Sequence, residues 1–563
     1  MKQKKAKANT HYKVTLFSLL IIFATLLVYL PAFKHGLLNW DDNLYVTDNA
    51  FIRNFSSIPS YFDRFFFGNY HPLTIFSYSI LYHISKLNPL LYHLYNILLH
   101  IANALLIFFL IKALFKNINL SFIVALLFAI HPMHVESVAW ISELKDVQYT
   151  FFYLISLWFY LKFVHQQKKS YYIFSILFFI LSLLSKGQAV TLSLVILLID
   201  YRERGKMFTK LTEKIPYFLL SFVFGIVAIM AQKSGNTLSD FSIVSPWEQI
   251  ALACYSFFIY ILKLIFPFQL SAFYPYPALI NGNIPEAYWF SLIIIPITAY
   301  ILWVSYKKNN TVFWGFLFFI VHIFLLLQLI PVGNCIMADR YSYIPSIGIF
   351  IIVAQGLLTF LNKSKQKFML ISICSIYGIY LCAFTYHQTQ YWKDDFSLWN
   401  SVLSVYPNIP SALVLRGYAY NEAEEYQKAL VDLNKAISIN PKDGLAYLNR
   451  GVSKAKLGDF SNAIADFKKA ETFNLEKRYQ VKLYSNLGGA LANVGNLTEA
   501  MKAFDKAIEL NPNDASAYNN RGIANAMLGN RTNALKDFDT ALKLNPAFTD
   551  ALINKNKILQ INH

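Results

Sequence analysis

From about residue 12 to residue 387 the chain alternates apolar runs of 13–24 residues with short polar breaks. A helix rises about 1.5 Å per residue, so such runs cross, or nearly cross, a hydrocarbon core of about 30 Å. Lipid offers no water to exposed backbone groups, which makes helices the natural reading. The pattern predicts spans near 14–33, 90–113, 119–134, 147–163, 171–185, 187–200, 214–231, 249–266, 288–305, 312–330, 343–361 and 367–387. The aromatic-rich stretch 55–85 is different, because Asp63, Arg64 and the His71-Pro72 pair interrupt it. It predicts amphipathic helices lying on the outer surface rather than a further crossing.

After about residue 388 the pattern becomes an Ala, Asn, Leu, Lys and Asp mixture of helical period. Gly417, Gly451, Gly488 and Gly522 follow one another at 34, 37 and 34 residues, and Ala429, Ala463, Ala500 and Ala534 keep the same spacing. So do Ala436, Ala470, Ala507 and Ala541, while Pro441, Pro512 and Pro546 close three of the units. Small residues are needed where two helices cross closely, and Pro ends the second helix. The pattern resembles tetratricopeptide repeats, with Leu433, Phe467, Phe504 and Phe538 at the matching bulky position. The expected organisation is a membrane domain over 1–390 and a repeat domain over 391–563. Its four repeats lie near 410–443, 444–477, 481–514 and 515–548, followed by a capping helix from Phe548. Three extra residues near 477–482 are assigned to the turn between the second and third repeats. Residues 396–406 look like the second helix of a degenerate repeat.

Charge changes the picture in one respect. The net charge is +18, of which +4 lies from Ser401 onward and +14 in the apolar part. Much of the latter sits in short loops, at Lys112 and Lys116, Lys168 and Lys169, Arg202 and Arg204, Lys307 and Lys308, Lys363 and Lys365. That is the cytoplasmic bias that orients membrane proteins, so it reports topology and no nucleic-acid partner. Twelve crossings would leave the Lys307 and Lys363 loops outside. Making the 249–266 run, or a neighbour, re-entrant gives eleven crossings and puts the repeats on the non-cytoplasmic side. The four cysteines all lie in or beside apolar runs, which implies no disulfide framework. The Lys-, Asn- and Ile-rich composition points to a bacterial inner membrane with periplasmic repeats, or to the endoplasmic reticulum membrane in a eukaryote.

Candidate chemistry gathers at the span ends assigned to the outer face. Asp41 and Asp42 stand side by side in Leu38-Asn39-Trp40-Asp41-Asp42, just after the first run. Adjacent carboxylates repel unless cations lie beside them. The second cluster is His131-Pro132-Met133-His134-Val135-Glu136, continued by Trp140, Glu143, Lys145 and Asp146. Ser185-Lys186-Gly187-Gln188 and Asp339-Arg340-Tyr341 complete the set. His131, His134 and Glu136 are candidates for a divalent metal, although Pro132 breaks any zinc-protease helix. The alternative is hydrogen bonding that closes the end of a span. Lys186 reads either as a snorkelling residue or as a phosphate contact, and Asp339 with Arg340 either as a ligand site or as a structural ion pair. Carboxylates and cations at headgroup level suit a substrate with a lipid tail, a phosphate and a sugar. One carboxylate would deprotonate an incoming hydroxyl while the cations offset charge on the departing phosphate.

These blocks together resemble the transmembrane-and-tetratricopeptide-repeat proteins, grouped with protein O-mannosyltransferases among the C-type polyprenyl-phosphate-sugar glycosyltransferases. The resemblance rests on the acidic first outer loop, the Val138–Asp146 and Ala338–Gly348 stretches, and the repeats. It implies an all-α fold and inverting transfer of a sugar, mannose among the options, to a hydroxyl acceptor. Asp41 or Asp42 would be the base and Lys186 and Arg340 the phosphate contacts. His131, His134, Glu136, Lys145 and Asp339 are the remaining substrate-contact candidates. No resident cofactor is implied, with Mg or Mn the ions to test. Gly187 and Gln188 stand where an acidic residue is expected after the Ser-Lys pair. The partners implied are the lipid-linked donor, the membrane, and a protein or peptide bound by the repeats. The competing reading is a non-catalytic scaffold whose work is done by the repeats.

Overall fold

The computed structural model describes residues 2–235 and 244–560, with side chains from Thr10 onward. The chain forms two units, Met1–Leu398 and Trp399–His563. Both are helical, and the strands of the described residues are the short antiparallel pair Tyr274–Pro275 and Cys335–Met337.

In the first unit, eight helices among the described residues are long and apolar enough to cross a membrane. A ninth arises if Ile118–Ile130 and Pro132–Ala139, bent by 55° at the break, count as one span. Helix length and composition thus give eight or nine candidate spans where eleven crossings are expected, with the shorter apolar helices Lys169–Ser185 and Asn310–Leu326 besides. Lys169–Ser185, Leu192–Arg204 and Asn310–Ile323 are helices of 17, 13 and 14 residues, or roughly 20–26 Å. Pro246–Ile265, covering the 249–266 run that with its neighbours is the re-entrant candidate, is a full 20-residue apolar helix that starts on a capping box between Ser245 and Glu248.

The 55–85 stretch condenses into short turns and one 14-residue helix, Pro72–Ser85. That helix works as a bracket. Thr74 Oγ donates to the Ser185 carbonyl at 2.9 Å, Tyr78 Oη to the Ile141 carbonyl at 2.8 Å and Ser79 Oγ to the Ile52 carbonyl at 3.0 Å. A second bracket is the helix Pro89–Phe115, with a buried polar stripe of His93, Asn96, His100 and Asn103. The Asn96 amide donates to the Trp140 carbonyl at 3.2 Å, and Asn103 donates to the Val147 carbonyl at 2.9 Å. Around these carbonyls the backbone is broken into three short helical pieces, 132–134, 135–139 and 141–143. Broken backbone in an apolar surrounding must find side-chain partners, and the stripe supplies them. Elsewhere, helices Asn310–Ile323 and Ser346–Lys363 touch backbone to backbone: a Cβ on Gly315 would lie 2.7 Å from the Gly348 carbonyl oxygen.

The second unit is a run of helix pairs. Its first helices are Pro410–Glu422, Gly444–Lys456, Lys477–Asn493 and Ala515–Met527, each followed by a second helix. The repeat glycines sit where a ring or branched chain crosses: a Cβ at Gly451 would come 2.5 Å from Phe467 Cε1, and one at Gly522 2.7 Å from Phe538 Cε1. The three extra residues of the third repeat lengthen its first helix to 17 residues, against 13 elsewhere, rather than the preceding turn. Thr549–Gln560 closes the array.

Candidate functional site

Asp42 and Asp41 separate into different environments. Asp42 is buried, 1% exposed. Its carboxylate accepts the Leu38 and Ser142 backbone N–H groups, both at 2.9 Å, and the Ser142 hydroxyl. Burial pushes its pKa up to about 7, the bonds from Leu38 and Ser142 pull it back, and the neighbouring Asp41 charge raises it again. Asp42 therefore ties the first loop to the 141–143 turn. Asp41 is only partly buried, and its charge acts on Lys145 and Tyr45. The loop is held from a second side as well, since Asp395 Oδ1 accepts the Asn39 N–H at 2.8 Å and Gly36 donates to the Lys393 carbonyl at 3.1 Å. Trp40 stacks on Trp140 at 4.4 Å, and Trp140 packs against Trp392 at 5.4 Å.

Beneath this roof the structure draws Glu136, Lys145, Lys186 and Arg340 into one buried network. Its centre is Glu143, 1% exposed. Lys145 Nζ lies 3.0 Å from Glu143 Oε1, Arg340 Nε 3.5 Å from the same oxygen, and Lys186 Nζ 3.6 Å from Oε2. Lys186 also pairs with Asp146, and Arg340 with Glu136, whose Oε2 accepts the Arg340 backbone N–H at 2.9 Å. Ser137 Oγ donates to Asp146 at 3.0 Å. The three cations come from three separate segments, which meet because the two brackets hold the 131–147 backbone and Ser185. Lys145 Nζ sits over the Tyr45 ring at 4.9 Å, and the Arg340 guanidinium is 5.8 Å from the Trp140 ring. Such contacts add to the hold on a desolvated cation.

Asp339, although next to Arg340 in sequence, turns to different partners. Its Oδ1 accepts the Tyr274 hydroxyl at 2.7 Å, on the strand that pairs with Cys335–Met337. Burial raises its pKa to about 6, offset by Lys263 and the Tyr274 bond.

His131 and His134, expected among the substrate contacts, serve a different purpose in this geometry. His134 Nδ1 is 2.8 Å from the Phe128 carbonyl and its Nε2 3.0 Å from Ser346 Oγ, so both ring nitrogens are committed. His131 Nδ1 accepts the Met133 N–H at 3.3 Å. With Tyr343 and Phe350 they form an aromatic knot that seats the start of the Ser346–Lys363 helix. This matches the alternative of hydrogen bonding at a span end. Glu136 is turned toward Arg340, so the three do not assemble a metal site. Among the described residues no group of three His, Cys, Asp or Glu side chains is placed to hold an ion.

The sequence reading under-rated two groups. Glu143 stood in the motif without a role, and His71 was seen only as an interruption. His71 caps the N-terminus of Pro72–Ser85, is 2% exposed, and lies 5.4 Å from the Tyr45 ring. Burial lowers its pKa to about 3, with Lys145 and Lys186 lowering it further, so the imidazole is neutral. The signal available in sequence was the polar stripe of the Pro89–Phe115 helix, which demands a broken, polar backbone opposite it.

Comparison with known proteins agrees with this division. Tetratricopeptide repeat models match residues 410–443, 445–476 and 515–548, and a further TPR repeat model matches 488–529. The chain is similar to a protein O-mannosyl-transferase of Caenorhabditis elegans, 24% identical over 416 residues, 69% of this chain. It spans 58% of that relative's length. Among solved structures, the TPR protein YrrB is 27% identical over 29% of this chain and 81% of its own, with a TM-score of 0.25. MamA is 25% identical over 26% and 79%, with a TM-score of 0.24. With a many-helix apolar unit, a tetratricopeptide array and this sequence relative, the chain is similar to membrane tetratricopeptide, O-mannosyltransferase-like proteins.

Proposed function

We propose that the protein is a membrane glycosyltransferase that moves a sugar from a polyprenyl-phosphate donor to a hydroxyl on a protein acceptor, at the non-cytoplasmic face, with the repeats binding the acceptor or a partner. The observation that carries this reading is the convergence of Lys145, Lys186 and Arg340 on Glu143, beneath a loop that presents Asp41. Asp41 is the better base, because Asp42 already accepts three hydrogen bonds and positions the loop. In the reaction the acceptor hydroxyl gives its proton to the Asp41 carboxylate while its oxygen attacks the anomeric carbon. The bond from that carbon to the phosphate oxygen breaks with inversion, and Lys186 and Arg340 offset the charge left on the phosphate. A metal ion is given no step. Mannose is the donor sugar to try first, in view of the relative's name. The basic loops favour cytoplasmic placement of the opposite side, which leaves the repeats in the periplasm of a bacterium.

A second reading has its own support: every cation of the network already faces a carboxylate, as in a purely structural ion-pair cluster. In that case the membrane unit anchors a repeat scaffold. The test is transfer of radiolabel from polyprenyl-phosphate sugars to protein, with purified full-length chain in detergent and a lysate of candidate acceptors. Label on protein supports the enzyme. Its absence with every donor, from folded protein that still captures a partner through the repeats, supports the scaffold.

A further inference from the structure

Four buried polar atoms without a protein hydrogen-bond partner lie on the segments that build the charge network: His71 Nε2, Trp140 Nε1, Glu143 Oε2 and Gln148 Oε1. Leaving such a group unsatisfied forfeits the hydration it had in the unfolded chain. The polar groups around them are satisfied: Asp42 by three donors, Asp146 by Lys186 and Ser137, and Thr74 and Ser79 by backbone carbonyls. Glu143 Oε2 has Lys186 Nζ at 3.6 Å as its ion-pair partner, so the atoms of this set that face no partner at all are His71 Nε2, Trp140 Nε1 and Gln148 Oε1.

Their chemistry selects a ligand class. Phosphate oxygens accept hydrogen bonds and carry negative charge, so they suit the Lys186 and Arg340 side of the network. A carboxylate oxygen at Glu143 and an amide oxygen at Gln148 are acceptors and repel such a group. A hydroxyl donates one hydrogen bond and accepts two, and matches an acceptor beside a neutral imidazole. His71 fits that part, since it is buried, uncharged, and shares the Tyr45 ring with Lys145. The charges of Lys145, Lys186 and Glu143 all act on its ring. Gln148 reaches the same neighbourhood, its amide nitrogen donating to Ser185 Oγ at 3.2 Å beside Lys186.

We propose that His71, Glu143 and Gln148 form a subsite for the hydroxyls of the donor's sugar, next to the cations that hold its phosphate. This subsite rests on the polyprenyl-phosphate reading given above. It assigns sugar recognition to the 71–72 corner and the first turn of the Leu144–Gln166 helix.

The test compares two probes on full-length protein in detergent, polyprenyl phosphate and polyprenyl-phosphate mannose, with unfolding temperature followed in parallel. The wild type binds the sugar-bearing lipid more tightly. His71→Leu and Gln148→Leu each weaken binding of that lipid about tenfold, one lost hydrogen bond's worth, and leave polyprenyl phosphate unaffected. The unfolding temperature of His71→Leu holds or rises, since an unsatisfied polar atom is removed, while Gln148→Leu also loses the bond to Ser185 Oγ and is read by its lipid preference. Equal weakening for both lipids, no weakening for either, or a fall in unfolding temperature without a change in lipid preference overturns the subsite. Failure of the wild type to bind either lipid overturns the donor reading itself, and that outcome is read without any variant.

Discussion

In the repeat array, Arg416, Arg450 and Arg521 each hold an aspartate sixteen residues on, Asp432, Asp466 and Asp537, through two guanidinium nitrogens at 2.6–3.1 Å. A further nitrogen of each reaches back to the preceding second helix, at Asn400, Asn434 and Asp505. In the membrane unit, Lys145, Lys186 and Arg340 share Glu143 at 3.0–3.6 Å, and one of its oxygens has no hydrogen-bond partner. The array's pairs are planar, satisfied and interchangeable with apolar packing. Its third repeat has Leu487 and Ala503 at the two positions, both buried. The membrane network is irregular and built from three separate segments, unlike the second buried cluster of that unit, where Asp200, Arg204, Glu213 and Lys214 pair within one stretch of the chain. Buried ion pairs that recur and can be replaced hold a fold together. A set that gathers three cations from distant segments around one carboxylate, at span ends, is a candidate binding site.

Replacing Lys186 with Met removes one phosphate contact and lowers transfer about 10²–10³-fold, read as the single-turnover rate at saturating acceptor. Unchanged transfer would move the network to the structural side of the comparison. The array responds in the opposite sense. Arg416→Leu leaves Asp432 buried and unpaired and costs about 3–5 kcal/mol. Adding Asp432→Ala copies the Leu487/Ala503 arrangement and returns stability to within about 1 kcal/mol of the wild type, measured by denaturant unfolding. The corresponding double change, Glu136→Leu with Arg340→Leu, abolishes transfer whatever it does to stability.

How much of this the sequence disclosed follows the same line. The array was legible because its spacing repeats: Gly451 and Phe467 need each other, and the need recurs three times. Only the placement of the extra residues in the third repeat escaped, because a turn and a helical extension have the same length in sequence. Apolar runs alone do not fix the span count, since an apolar run says how much surface prefers lipid and not how long its helix is. Leu192–Arg204 is apolar over much of its length but ends after 13 residues. At the site, the acids and cations were named from their clustering at span ends. Their pairing was not, because Glu143 meets Arg340 across nearly two hundred residues. His131 and His134 read in sequence either as ligand contacts or as hydrogen bonding at a span end, and the partners that commit His134, the Phe128 carbonyl and Ser346 Oγ, belong to no motif. His71 offered no local motif; its position depends on the helix it caps.

Two smaller effects sharpen the contrast. Asp42 has a folded pKa of about 7 against an ordinary value of 3.8. A raised carboxyl pKa means stability is greatest at low pH and declines as pH rises to about 7, then levels off. Thermal unfolding between pH 4 and pH 8 shows that slope in the wild type and a shallower one in Asp42→Asn, Asp339 contributing the remainder. In the array, neighbouring glycines divide: a Cβ at Gly488 would meet Phe504 Cε1 at 2.6 Å, and one at Gly489 would meet nothing within 4 Å. Gly488→Ala costs about 1–3 kcal/mol by overpacking, and Gly489→Ala gains about 0.5–1 kcal/mol as a mid-helix Gly is removed.

The most direct test of the account sets Asp41→Asn beside Asp42→Asn, with single-turnover transfer from polyprenyl-phosphate sugar and unfolding temperature measured on each. The account predicts that Asp41→Asn loses about 10²–10⁴-fold in rate at unchanged unfolding temperature, while Asp42→Asn changes stability and rate together. Transfer retained by Asp41→Asn, or an equal loss of stability in both variants, would contradict the division of work between the two carboxylates and the catalytic reading built on it.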